Sequence, residues 1–88
     1  MMWRIVVTFE AEKDLERLDT SIRKRVLEKL AWLRHNFDFI IPLPLGGKWR
    51  GFFKLRVGDW RIVYEVETKK FLVIIHRIDR RDKVYKYK

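Results

Sequence analysis

The chain has 88 residues, 48% of them apolar, and no cysteine. That length holds one core, so a single domain over residues 1–88 is expected. The missing cysteines exclude disulfides, thiolate metal sites and a cysteine nucleophile. A formal charge of +9 points to a polyanionic partner, with nucleic acid first in line. The charge is uneven: residues 1–48 carry nine Lys/Arg against seven Asp/Glu, and residues 49–88 carry twelve against five. No apolar run reaches membrane-spanning length and the first residues lack a signal-peptide layout, so a cytoplasmic protein that meets no membrane is expected.

Residues 3–9 are rich in β-branched and aromatic side chains and read as a strand. A helix follows at about 11–18, with Ala11, Leu15 and Leu18 on one face and Glu10, Glu12 and Asp14 at its start. Asp19, Thr20 and Ser21 offer capping oxygens to a second helix that runs to about residue 36. Its apolar stripe is Ile22, Val26, Leu30, Leu33 and Phe37, and Arg23, Lys24, Glu28 and Arg34 lie opposite. Residues 39–51 hold both prolines and three of the four glycines, which marks a connection with apolar anchors. Strands are expected at 52–57, 60–67 and 70–78, joined by tight turns at Gly58-Asp59 and Thr68-Lys69. The tail, 79–88, is highly charged and carries Tyr85 and Tyr87. The expected class is α+β: an N-terminal strand, then a two-helix hairpin on one face of a mainly antiparallel four-stranded sheet, then a short basic tail.

A two-residue turn at Gly58-Asp59 sets Arg56 opposite Arg61 and Lys54 opposite Val63. Alternation then collects Phe53, Leu55, Val57, Trp60, Ile62, Tyr64, Val66, Phe71, Val73 and Ile75 on one face, the side for the helices to cover. The other face carries Lys54, Arg56 and Arg61, and the second turn as drawn brings His76 opposite Arg61. Like charges facing each other in a sheet are destabilising, so such a cluster calls for an anion. The plainer explanation is that long Arg and Lys stems cover apolar sheet while their heads reach water.

Phosphodiester cleavage suits such a cluster. Arginine gives planar paired donors to phosphate. A lysine crowded by other cations can accept a proton. An RNA substrate supplies its own nucleophile, the 2′-OH, so the protein has only to position the chain and stabilise charge. The sequence contains no HExxH, GxSxG or GxxxxGK[ST] motif and no acidic metal cluster, so no cofactor or metal is expected. His35 is expected to cap a helix end or face solvent.

Leu45, Gly47, Gly51, Lys54, Leu55, Arg56, Gly58, Asp59, Trp60, Arg61, Ile62, Val63 and Tyr64 together resemble the central motif of the RelE/ParE toxin superfamily. The element order is similar to that fold over the whole chain, and the motif covers about a fifth of it. The resemblance implies an mRNA-cleaving toxin of the RelE type, acting in the ribosomal A site and paired with an antitoxin that wraps it. The toxin–antitoxin complex would reach operator DNA through the antitoxin. By position, Lys54 resembles the lysine that favours loss of the 2′-OH proton, and Arg61 the arginine that stabilises the transition-state phosphate. Arg81 resembles a further arginine near the leaving group, with Arg80 the alternative, and Tyr85 the tyrosine that stacks on or orients a base. Arg56, Lys48, Arg50, His76 and Arg80 are expected to help bind substrate.

One departure stands out: a second family lysine falls at Phe52, which has no proton chemistry, and Lys48 or Arg50 is the nearest substitute. Members of the ParE type share the scaffold and act on DNA gyrase without chemistry. A member that only binds its antitoxin is a third reading. The combination of Lys54, Arg61, Arg81 and Tyr85 favours RelE. Tyr87 has no role in the resemblance and reads as a packing or capping residue.

Overall fold

The computed structural model describes residues 2–87. Strand β1 is Arg4–Val7, helix α1 Phe9–Arg17 and helix α2 Thr20–Asn36. Strands β2 (Leu43–Pro44), β3 (Phe53–Val57), β4 (Trp60–Glu67) and β5 (Leu72–Arg80) complete the set. They form one five-stranded sheet in the order β1-β5-β4-β3-β2. The fifth strand is the two-residue β2 against the edge of β3, inside the stretch read as a connection. β1 runs parallel to β5, and the other pairings are antiparallel.

Helix α1 begins two residues earlier than the sequence suggested. Thr8 ends β1 and caps α1: its hydroxyl oxygen accepts the Ala11 N–H at 3.2 Å and its O–H donates to the His76 carbonyl. Asp19 caps α2 by accepting the Ile22 N–H at 3.0 Å. Two residues expected on the outer face of α2 hold the layers together instead. Arg23 donates to the carbonyls of Leu15, Glu16 and Leu18 at the end of α1, and Arg34 donates to the Trp3 carbonyl. His35 is exposed, one of the two outcomes expected of it.

The core lies between the helices and the face anticipated for it. Val26, Leu30, Leu33 and Phe37 meet Val57, Ile62, Tyr64, Val73 and Ile75, with Trp3, Ala11, Leu18 and Ile78 around them. Phe53, Leu55, Trp60 and Val66 pack partly buried against this cluster, whereas Phe71 is exposed in a turn. Among the described residues no helix is long and apolar enough to cross a membrane.

The β3–β4 hairpin has the expected register, with Val57 paired to Trp60 and Arg56 to Arg61. Gly58 has a φ of +58° and Asp59 a negative φ, the pattern of a turn with glycine at its first central position. The β4–β5 register differs from expectation. Residues 68–70 form a 3₁₀ turn and Phe71 takes a left-handed conformation, so Glu67 pairs with Leu72. A bulge at Val63/Tyr64 then gives β5 one more residue, His76. Arg61 therefore faces Asp79 rather than His76, and beyond the bulge Ile78 turns to the core while Arg77 and Asp79 take the other face.

Candidate functional site

The cations expected on the face away from the helices are gathered there. Arg56 and Arg61 are cross-strand neighbours, and Lys54 lies two residues along β3 on the same face. The Arg81 N–H donates to the Asp59 carbonyl at 2.9 Å, which fastens the start of the tail to the β3–β4 turn beside them. Among the described residues none of Lys48, Arg50, Lys54, Arg56, Arg61 and Arg81 pairs with a carboxylate. Arg61 instead donates from Nη1 to the carbonyls of Gly58 and Trp60, both at 2.9 Å. Those bonds hold the guanidinium at the turn and leave its charge uncompensated. A patch of this kind fits an anion, and paired guanidinium donors fit phosphate best.

The same face is not wholly open. Val63 is fully buried beneath Trp49 and Val84, with Leu45, Phe52 and Tyr85 packed around them. Trp49 Nε1 donates to the Tyr85 carbonyl at 3.1 Å, so the 3₁₀ turn Gly47–Trp49 and the tail turn Val84–Lys86 close over the centre of the face. Tyr85 is thus half-buried, its ring shared between this small core and the surface. Lys48 and Arg50 flank Trp49 as exposed cations.

His76 and Arg80 do not join the patch. His76 Nε2 lies 2.8 Å from Glu65 Oε1, and the ring packs edge-on to Phe52, which in turn packs edge-on to Trp49. Phe52 is therefore a packing residue at the position where the resemblance places a lysine. Alternation sends Arg80 to the helix side, where it lies 3.7 Å from Asp82 and lines a cleft of about 360 Å³ with Asp14 and Arg17.

Two residues outside the sequence-based set organise the neighbourhood. Asp14, only 4% exposed, accepts from Arg77 Nε and Nη2 and from Arg17 Nη2, all at 3.0 Å, and from the Ile78 N–H at 2.8 Å. Burial opposes the Arg77 charge, but the hydrogen bonds and charge of Asp14, aided by Tyr87 and Glu10, outweigh it and raise its pKa. Tyr87 is the second. The Arg77 guanidinium carbon sits 3.5 Å from the Tyr87 ring centroid, and the Tyr87 hydroxyl donates to Asp79. This supports the packing role expected of Tyr87. Both signals were faint in the sequence: an acid in the first turns of a helix usually serves the helix dipole, and a tyrosine in a charged tail has no partner that spacing can name.

The family model described as "ParE toxin of type II toxin-antitoxin system, parDE" matches residues 5–85. Toxin RelG of Mycobacterium tuberculosis is 27% identical over 86 residues, spanning 98% of this chain and 99% of that protein. Among solved structures, a chain of the toxin–antitoxin complex RelBE2 of Mycobacterium tuberculosis superposes with a TM-score of 0.81 at 27% identity, covering 92% of this chain and all of that one. A chain of the archaeal RelE–RelB complex of Pyrococcus horikoshii gives 0.71 at 25% identity, over 96% of this chain and all of that one. The chain therefore belongs to the ParE toxin family of type II toxin–antitoxin systems, within the RelE/ParE superfamily.

Proposed function

We propose that this toxin is a ribosome-dependent endoribonuclease that cuts mRNA in the A site. The observation that supports it most is the set of Lys54, Arg56, Arg61 and Arg81 around one turn, with no carboxylate partner among the described residues. In the reaction the 2′-oxygen attacks the adjacent phosphorus and passes its proton to Lys54. Arg61, with Arg56 beside it, holds the charge gathering on the non-bridging oxygens. The P–O5′ bond breaks near Arg81, the 5′-oxygen takes a proton from solvent, and a 2′,3′-cyclic phosphate remains. The exposed part of Tyr85 offers a surface for a base, and Lys48 and Arg50 hold flanking phosphates. No metal or cofactor enters this scheme.

By analogy with the RelBE2 and RelE–RelB complexes, we infer a cognate antitoxin that covers the basic face and carries any contact with operator DNA. The whole chain acts as one toxin domain in the cytoplasm. Purified protein added to translating ribosomes is expected to cut message at the A site.

The match to a ParE model favours one further reading, a non-enzymatic inhibitor of DNA gyrase. Inhibited supercoiling with intact message would establish that reading in place of the first. Phe52 supports a third, a member that binds its antitoxin and RNA without cutting; RNA affinity with no cut product would identify it.

A further inference from the structure

Arg61 faces Asp79 across β4 and β5, and opposite charges so placed normally pair. Here they do not: both carboxylate oxygens of Asp79 are taken elsewhere. Oδ1 accepts the Arg80 N–H at 2.7 Å, and Oδ2 accepts the Tyr87 hydroxyl. Tyr87 in turn is fixed by the Arg77 guanidinium stacked on its ring, and Arg77 is fixed by the buried Asp14 of α1. A chain of contacts thus runs from helix to tail and ends on the one carboxylate whose strand position faces the central arginine.

We propose that Tyr87 is a positioning residue that withholds Asp79 from Arg61 and so keeps Arg61 available to a phosphate. When the end of the tail lifts, Asp79 loses its hydroxyl partner and turns to Arg61, and the patch loses its central free cation. The docked tail then has two effects: it carries Arg81 and Tyr85 to the face, and it keeps Arg61 unpaired. The inference rests on the reading of this face as an RNA-phosphate site.

The test uses the full chain and a short RNA oligonucleotide made uncleavable by 2′-O-methylation. Cross-strand charge pairs are of a strength that competes with an anion by a few-fold, so Tyr87→Phe is expected to weaken RNA binding about two- to fivefold. Asp79→Asn keeps an oxygen for the Arg80 N–H and cannot attract Arg61 as a charge; added to Tyr87→Phe, it restores the affinity. Weakening that Asp79→Asn does not restore by more than the gain it gives the parent chain would overturn the idea, because removing a carboxylate by itself favours a polyanion. An unchanged affinity in Tyr87→Phe would overturn it too. The Arg61 Nε–H resonance gives a second readout that needs no RNA. A shift in Tyr87→Phe, abolished by Asp79→Asn, supports the positioning role even if the protein binds no RNA and the proposed function falls; an unmoved resonance rejects it.

Discussion

Replacing Asp14 with alanine isolates the most heavily used side chain in the molecule. Its two oxygens take four donors, two from Arg77, one from Arg17 and the backbone N–H of Ile78. In Asp14→Ala the Arg77 guanidinium, 17% exposed, keeps its charge without a carboxylate, and a buried N–H at the open edge of β5 loses its acceptor. Breaking a buried ion pair from one side costs about 3–5 kcal/mol. An orphaned backbone donor costs about 1–3 kcal/mol, a loss that overlaps the first. Arg77 retains its stack on Tyr87 and some access to water, so the expected total is about 3 kcal/mol, near the lower end of the ion-pair range. Against a stability of about 5–15 kcal/mol for a small domain, that is a large share. At about 4–8 °C per kcal/mol in this size class, it corresponds to a Tm lower by roughly 12–24 °C. Urea unfolding followed by far-ultraviolet circular dichroism measures it, with Arg17→Ala as the internal contrast. The Arg17 side chain is 68% exposed, so its removal is expected to cost under about 1 kcal/mol. A loss below about 1 kcal/mol in Asp14→Ala, or an equal loss in Arg17→Ala, would rule out this role for Asp14.

Two further perturbations test the core and the hairpin. Tyr64 is 1% exposed, and burial pushes its phenol from the ordinary 10.0 to about 12. Since the folded value is the higher, the stability it confers is complete below pH 10 and is lost as pH rises toward about 12; stopped-flow titration at 295 nm should find a tyrosinate that appears only with unfolding, absent in Tyr64→Phe. Gly58→Ala places a Cβ at φ +58° and 2.8 Å from Arg25 Nη2. The Arg25 end can swing away, so left-handed strain of about 1–2 kcal/mol is the expected loss in urea, and a neutral result would mean the turn relaxes.

Much of the fold was legible because the β3–β4 hairpin obeys simple alternation. Gly58 sets the turn, and Phe53, Leu55, Ile62 and Tyr64 sort themselves from Lys54, Arg56 and Arg61. The β4–β5 pairing was not, since it depends on a three-residue turn and one bulged residue. Phe71 tolerates a left-handed conformation there, and nothing in its sequence context announces it. Thr8 was read only as a strand residue, and the tertiary bond to the His76 carbonyl accompanies the capping role it takes instead. The cationic half of the candidate site was legible from period two. The small core over Val63 was signalled only by isolated apolar residues, Trp49 and Val84, in otherwise polar stretches. Asp14, Arg77 and Tyr87 were beyond sequence reading, because their partnership joins segments 63 residues apart and closes at an edge that β1 leaves uncovered.

In the proposed reaction Arg61 acts on a phosphate. The measurement that reaches it most directly is single-turnover cleavage of message on programmed ribosomes, comparing the parent chain with Arg61→Ala. Loss of one well-placed donor to a developing oxyanion slows chemistry by about 10²–10³-fold, and that is the expected drop. Intact message with the parent protein in excess, or equal rates for the two proteins, would rule out that role for Arg61.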